Sequence, residues 1–167
     1  MPTSNSTTSG EVSLAAAFTR EHHEIDAAIE EYLADTTSSD PVRRTRPLLK
    51  AMEALRRHIY LEEEIVFPRL PEQELMMALM VMRREHGQLW QQMDDLAAIL
   101  ADPSAETAGI DAACTEILTL LETHNSKEEP IIYPHMDASL TSEEQARIRR
   151  LFESGTLPEG WICDALR

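Results

Sequence analysis

One sequence motif occurs twice in this chain, and its spacing restricts the possible folds more than any other feature. The residues from His58 to Pro68 read HIYLEEEIVFP, and those from His124 to Pro134 read HNSKEEPIIYP. Both copies follow the pattern H-x-x-x-E-E-x-I, then an aliphatic residue, an aromatic residue and a proline. Residues that are four apart on a helix lie on one face. The motif therefore predicts two helices that each direct a histidine and a glutamate to the same place.

A second, shorter motif also occurs twice, once upstream of each copy of the first. The residues EHHEI begin at Glu21, and the related residues EHGQL begin at Glu85. Together the two motifs divide the chain into two similar halves. We expect each half to be a helical hairpin, whose first helix carries one histidine and whose second helix carries the H-x-x-x-E pair.

The spacing of the apolar residues predicts four long helices with short connections. The chain contains only 5 glycines and 5% aromatic residues, which disfavours a fold built from many short strands. Asp40 before Pro41 is typical of a helix N-terminus. The residues from Thr141 to Glu144 are typical of a capping box that begins a further helix. We predict an all-α fold, an up-down-up-down antiparallel four-helix bundle with a short C-terminal fifth helix.

The same patterns predict how the chain is organised along its length. Residues 1–12 are rich in serine and threonine and are expected to form a disordered tail. Residues 13–136 should form the four-helix bundle, with the fourth helix ending near Pro130. Residues 137–167 should contribute the short helix and a C-terminal tail.

The composition excludes several classes of function. Acidic residues outnumber basic ones by 30 to 15, and the formal net charge of −15 argues against binding to nucleic acid or to anionic membranes. Residues 1–10 have neither the basic nor the apolar segment of a secretory signal, so we expect none, and the longest apolar run is far shorter than the ~20 residues of a membrane span. The two cysteines, Cys114 and Cys163, have no metal-binding or redox spacing, as is usual in a reducing compartment. We expect a cytoplasmic protein.

Six residues of the repeated motifs fall on the apolar stripes of the predicted helices. They are His22, His58, Glu62, His86, His124 and Glu128. Burying unpaired carboxylates is costly, whereas a metal ion accepts carboxylates and imidazoles as ligands. We therefore predict a metal centre in the core of the bundle, and we assign no separate catalytic residue. His23 is turned ~100° away from the stripe and is expected at the surface.

The donor set indicates which metal the site would hold. Mixed histidine and carboxylate ligands suit iron or manganese, rather than a structural zinc or calcium ion. Six protein ligands are too many for one ion with an open position, but they suit two ions that each take two histidines and share both carboxylates. The repeat favours Glu128 as the shared carboxylate of the fourth helix, with Glu129 as the alternative.

These motifs resemble those of the hemerythrin-like (HHE cation-binding) family over about residues 13–136. The matching elements are E-H-x-x-I at His22, H-x-x-x-E at His58, E-H-x-x-L at His86, and H-x-x-x-E-E with a trailing Y-P at His124. The resemblance implies a four-helix bundle around a non-haem di-iron centre, with two iron ions joined by an oxo or hydroxo bridge. Members of this family carry or sense oxygen, handle nitric oxide, store or sense iron, or repair iron–sulfur centres.

The sequence departs from the oxygen-carrying members of this family in two ways. Those members have an aspartate five residues after the last histidine, where this chain has Glu129 and the repeat favours Glu128. Those members have a fifth histidine, in a His-x-x-x-His pair on the third helix. The residues four before and four after His86 are Met82 and Trp90, so the fifth histidine is missing. The four-His, two-Glu set is more similar to the bacterial proteins that repair iron centres, although this chain lacks an obvious cysteine-bearing N-terminal domain.

The resemblance leads us to expect a di-iron protein that binds or reacts with oxygen, nitric oxide or peroxide. One alternative is an iron- or oxygen-dependent sensor or interaction module with a protein partner, which the sequence does not identify. Another is an iron store or donor. Turnover of nitric oxide or peroxide with a simple reductant would favour the first hypothesis, and binding of a partner that depends on the metal would favour the sensor.

Overall fold

The computed structural model describes residues 12–167, and within this part of the chain all regular structure is helical. Of the predicted N-terminal tail, residues 1–11 lie outside the described residues. The long helices are α1 (Leu14–Ala34), α2 (Pro41–Leu61), α3 (Glu72–Ala101) and α4 (Thr107–Ile131). Two shorter helices follow, α5 (Met136–Ser139) and α6 (Ser142–Ser154), of which α6 is the predicted fifth helix. The all-α prediction is confirmed.

The helices begin where the sequence supplies hydrogen-bond acceptors for free backbone N–H groups. The side chain of Asp40 accepts from the N–H of Val42, directly before α2. Thr141 and Glu144 form the predicted capping box of α6, in which each side chain accepts from the backbone of the other residue. These caps explain why sequence patterns located these helix starts accurately.

The two copies of the repeated motif end their helices differently. After α2 the chain continues through a π-helical turn at Glu62–Val66 and a 3-10 turn at Phe67–Arg69. In contrast, α4 stays α-helical through Pro130 and ends at Ile131, close to the expected end near Pro130. Pro130 has no backbone N–H to donate to the carbonyl four residues earlier, so this last turn lacks one hydrogen bond of the helix.

The four long helices pack as two hairpins. Helix α1 packs along α2 and α3 packs along α4, while contacts of α1 with α4 and of α2 with α3 join the hairpins. This is the arrangement of an up-down-up-down bundle. None of the described helices combines the length and apolarity needed to cross a membrane.

The hydrophobic core is divided into two clusters by a polar layer. The first cluster takes residues from the C-terminal parts of α1 and α3 and the N-terminal parts of α2 and α4, among them Ile29, Leu55 and Leu96. The second cluster, which includes Phe18 and Met82, lies at the other end of the bundle and is completed by residues that follow α2 and α4. The repeated histidines and glutamates lie between the two clusters in the sequence of each helix.

The chain after α6 folds back onto the bundle. Cys163 is fully buried in the first core cluster, and Trp161 packs against the rings of Tyr60 and Trp90. A Cβ atom added at Gly87 of α3 would lie 2.8 Å from the Cβ atom of Ala165, which is closer than side chains approach. Glycine at this position of α3 therefore allows the C-terminal segment (residues 155–167) to lie against the helix.

Candidate metal centre

The structure brings together all six residues that the sequence predicted as ligands. Each is buried, with between 0% and 3% of its surface exposed. They form two overlapping groups, in which one ligand atom from every member lies within 4.8 Å of the others. The first group contains His22, His58, Glu62 and Glu128, and the second contains His86, His124 and the same two glutamates.

The two glutamates face both groups, one oxygen to each. In the first group, Oε2 of Glu62 lies 3.5 Å from Nε2 of His58, and Oε1 of Glu128 lies 3.3 Å from Nε2 of His22. In the second group, Oε1 of Glu62 lies 3.3 Å from Nε2 of His86, and Oε2 of Glu128 lies 3.3 Å from Nε2 of His124. Two carboxylates that span two histidine pairs in this way have the geometry of bridging ligands.

An outer ring of four carboxylates orients the four imidazoles. Each histidine directs Nε2 towards the centre and Nδ1 towards a glutamate. The pairs are His22 with Glu129 at 3.1 Å, His58 with Glu21 at 3.0 Å, His86 with Glu63 at 2.7 Å, and His124 with Glu85 at 3.1 Å. When Nδ1–H donates to a carboxylate, the lone pair of a neutral imidazole is on Nε2, as a metal requires.

The outer carboxylates follow the internal repeat. Glu21 and Glu85 directly precede the first histidine of each half, and Glu63 and Glu129 directly follow the inner glutamates. The sequence analysis did not assign Glu21, Glu63 or Glu85 a role, although the motifs E-H and E-E contained them. Glu129 was the alternative bridge, but the structure pairs it with His22 and directs Glu128 into the centre.

Three of the outer carboxylates have further partners. Arg57 lies 3.4 Å from Glu21, and Lys127 forms an ion pair with Glu85. The backbone N–H of Asp164, in the C-terminal segment, donates to Glu63 at 2.8 Å. The segment after α6 is therefore connected through Glu63 to the imidazole of His86.

The charges in this layer shift the pKa values of its members. Burial alone would lower the pKa of His58, but the nearby Glu62 and the hydrogen bond to Glu21 raise it to about 10. Burial likewise opposes protonation of His124, yet Glu128 raises its pKa to about 10. Burial would raise the pKa of Glu128, and the imidazoles of His124 and His22 instead hold it well below its usual range. Without a cation, the raised pKa values of His58 and His124 favour protonated imidazoles beside the buried carboxylates.

Several atoms at the centre lack a hydrogen-bond partner among the described residues. They are Nε2 of His86, Oε1 of Glu62 and Oε2 of Glu128, and all three belong to the second group. Nε2 of His86 and Oε1 of Glu62 are 3.3 Å apart, but they are not in hydrogen-bonding geometry. Unpaired buried polar atoms are costly. Their presence, together with the mixed histidine and carboxylate donors, fits the binding of a metal ion.

A tyrosine that the sequence analysis did not select also reaches this layer. The hydroxyl oxygen of Tyr133 lies 2.9 Å from Nε2 of both His22 and His58, 2.8 Å from Oε2 of Glu62 and 2.9 Å from Oε1 of Glu128. Burial and the two carboxylates raise the pKa of Tyr133 well above its usual value, so the hydroxyl keeps its proton in the metal-free protein. Only the aromatic position of the repeat indicated this residue in the sequence.

The other candidate residues lie outside the centre. His23 is exposed, as expected, and His135 lies in the 3-10 turn after α4. Met82 and Trp90, which stand where a fifth histidine would be, are buried. Met82 packs in the second core cluster, and the ring of Trp90 contacts Trp161 and the guanidinium of Arg56.

Comparison with known protein families gives one match that covers most of the chain. The model of the hemerythrin HHE cation-binding domain matches residues 13–136. A comparison with curated proteins found no match, and neither did a comparison with solved structures.

Proposed function

Because the chain belongs to the hemerythrin HHE cation-binding domain family, we propose that it is a non-haem di-iron protein that reacts with oxygen, nitric oxide or peroxide. The observation that supports two ions is the pair of histidine groups that share Glu62 and Glu128. Iron suits this mixed nitrogen and oxygen donor set, and manganese is the alternative that metal analysis would detect.

The residues of the site would have different roles in binding two ions. Each pair of histidines would bind one ion through Nε2, and the two inner glutamates would bind both. The outer carboxylates hold each imidazole in the tautomer and orientation that coordination requires, an effect typically worth 10–100-fold in metal affinity. When bound, ferrous iron supplies electrons and coordination positions for a small oxidant or nitric oxide. The two hydrophobic clusters limit the access of water from either end of the bundle.

The missing fifth histidine supports reaction rather than reversible oxygen carriage. Met82 offers only a thioether, a poor donor to iron among hard oxygen ligands, and Trp90 has no lone pair to offer. One ion should therefore keep a coordination position for a small ligand. We also propose that the protein acts in the cytoplasm, without nucleic-acid or membrane partners, in keeping with two buried free cysteines and the acidic surface.

The experiment that tests this proposal is metal analysis and optical spectroscopy of protein purified without oxygen. We expect about two iron ions per chain, oxidation of the diferrous protein in air within minutes, and ready binding of nitric oxide. A stable oxygen adduct that forms reversibly over repeated cycles of oxygenation and deoxygenation would instead indicate an oxygen carrier. A single ion at full occupancy would contradict the two-ion site.

The sensor hypothesis has one structural observation in its favour. A change at His86 would reach Glu63 and then the C-terminal segment, whose Trp161 and Arg167 contact Glu64 beside it. Metal-dependent binding of a protein partner, lost when the C-terminal segment is altered, would support this alternative. The donor hypothesis is less well supported, because ligands that are 3% exposed or less are poorly placed to hand over iron.

A further inference from the structure

The hydroxyl of Tyr133 occupies the middle of the first histidine group. It lies 2.8–2.9 Å from one atom of each of the four members of that group, namely the Nε2 atoms of the two histidines and one oxygen of each shared glutamate. A hydroxyl has one hydrogen to donate and two lone pairs. It therefore cannot form good hydrogen bonds with all four atoms at once, and the convergence is more typical of coordination to a cation than of a hydrogen-bond network.

A metal ion bound by the first group would have to come close to this oxygen. Metal–ligand distances for nitrogen and oxygen donors are about 2.0–2.2 Å, so an ion among these four atoms would lie next to the hydroxyl. The hydroxyl would then either move away or become a ligand. Tyr133 is 1% exposed, and its ring is stacked on His22 and packs edge-on against Phe18, so the side chain has little space to move.

We propose that the phenol oxygen of Tyr133 is a seventh protein ligand, which binds the metal ion held by His22 and His58. This proposal rests on the di-iron function proposed above. On binding, the O–H bond of the phenol breaks, a metal–oxygen bond forms and the proton passes to solvent. The anionic oxygen is a hard donor that suits ferric iron, and it supplies the group with a donor that the second group does not have.

The second histidine group has no such residue among those described. The repeat places Phe67 at the position of Tyr133, and its ring stacks on His86 at a centroid distance of 5.7 Å and an interplanar angle of 7°. Phenylalanine has no atom that can bind a metal. The two ions would therefore differ, and the exchangeable position for a small ligand would lie on the side of His86 and His124.

The test uses the full-length chain, made metal-free, loaded with ferrous iron and then oxidised in air. Coordination by a phenolate gives ferric iron an intense visible charge-transfer band and resonance-enhanced vibrations of the tyrosine ring. We expect both in the native protein and neither in Tyr133→Phe, a change that gives this position the residue found in the other copy of the repeat. Tyr32→Phe is the matched control, because Tyr32 is equally buried but lies in the first core cluster.

The outcomes separate this proposal from the function on which it rests. Two iron ions without a tyrosinate band, or a band that Tyr133→Phe retains, would overturn the role of Tyr133 and leave the di-iron proposal intact. Failure of the folded native chain to bind iron would overturn both. Metal analysis and circular dichroism of each variant show that a lost band does not reflect lost iron or lost fold, and incorporation of ring-deuterated tyrosine should shift the vibrations if they arise from tyrosine.

Discussion

The two histidine groups of the metal site have nearly the same ligands and differ in the side chains that lie beside them. In the first histidine group, the hydroxyl of Tyr133 contacts His22, His58 and both shared glutamates. In the second histidine group, the equivalent Phe67 covers the face of His86, and three polar atoms have no hydrogen-bond partner within residues 12–167. The repeat has thus kept the ligands and their outer carboxylates and has diverged at a neighbouring aromatic position.

The halves also differ in how they are connected to the rest of the chain. Glu63, which is paired with His86 of the second histidine group, accepts a hydrogen bond from the backbone of the C-terminal segment. Its counterpart Glu129 is paired with His22 of the first histidine group, and the side chain of Glu129 is 30% exposed. The two halves of a duplicated site can therefore have different surroundings although their inner ligands match, and the following experiments separate what the halves share from what they do not.

The shared glutamates should have the largest effect, because each contributes an oxygen to both halves. We expect Glu62→Ala and Glu128→Ala each to lose most of both metal ions, measured as iron per chain. Glu53→Ala, an exposed glutamate of α2, is the control and should bind metal as the native protein does. Retention of one full equivalent of iron in either variant would show that its glutamate does not bridge the two groups.

The histidines should have the next largest effect, because each belongs to one half only. We expect His22→Ala to weaken binding of the ion in the first half and His86→Ala that in the second, so that each variant loses about one ion. His23→Ala is the control, since His23 is adjacent in sequence and exposed. If His23→Ala removed iron while His22→Ala kept it, the assignment of the ligand on α1 would be wrong.

The outer carboxylates should have a smaller and nearly symmetrical effect. Glu21 and Glu85 occupy equivalent positions, each accepting from the Nδ1–H group of a histidine and each paired with a cation. We expect Glu21→Gln and Glu85→Gln to weaken metal binding by about 10–100-fold, measured by competition with a chelator. Glu24→Gln, an exposed neighbour on α1, should leave the affinity unchanged. A large difference between the first two variants would show that the halves are less alike than their contacts suggest.

The smallest effect is expected where the C-terminal segment meets α3. Gly87→Ala would improve the helix propensity of α3 by about 1 kcal/mol, but the new Cβ atom would lie 2.8 Å from that of Ala165. We expect the segment to be displaced with little change in the melting temperature. The sign of the net change in stability depends on how easily Ala165 moves.

Cys163 can report this displacement. It is buried, and burial raises the pKa of its thiol to about 11, so it should react slowly with thiol reagents near pH 8. We expect Gly87→Ala to increase the rate of its labelling several-fold. Cys114 has a thiol pKa raised to about 11 for the same reason and lies in α4, away from the segment, so its rate should not change. Equal acceleration at both cysteines would indicate general loosening of the core instead.

Local patterns predicted the fold and the inner ligands because the relevant interactions are short in sequence. The i to i+4 spacing of His58 with Glu62 specifies a shared helix face, and the capping box of Thr141 uses residues three apart. The contacts of other side chains with these ligands were not predicted. Tyr133 and His58 are 75 residues apart, and no periodicity indicates which helix faces which aromatic residue.

Surface exposure was also predicted less well than burial. The residues around 76–82 are rich in methionine, which is typical of a buried helix face, but Met76, Met77 and Met80 are 54%, 69% and 58% exposed. Only one face of α3 contacts the rest of the bundle at this point, so an apolar residue on another face remains at the surface.

The division of the core by a polar layer links the amount of folded protein to the supply of metal. The layer of carboxylates and imidazoles that separates the two hydrophobic clusters is buried, so it has a high desolvation cost. A ligand that binds only the folded chain stabilises it by about 2.7 kcal/mol at a free concentration one hundred times its dissociation constant. If the proposed iron site is correct, a larger fraction of chains should open and be degraded when iron is scarce, so the lifetime of the protein would depend on how much iron is available.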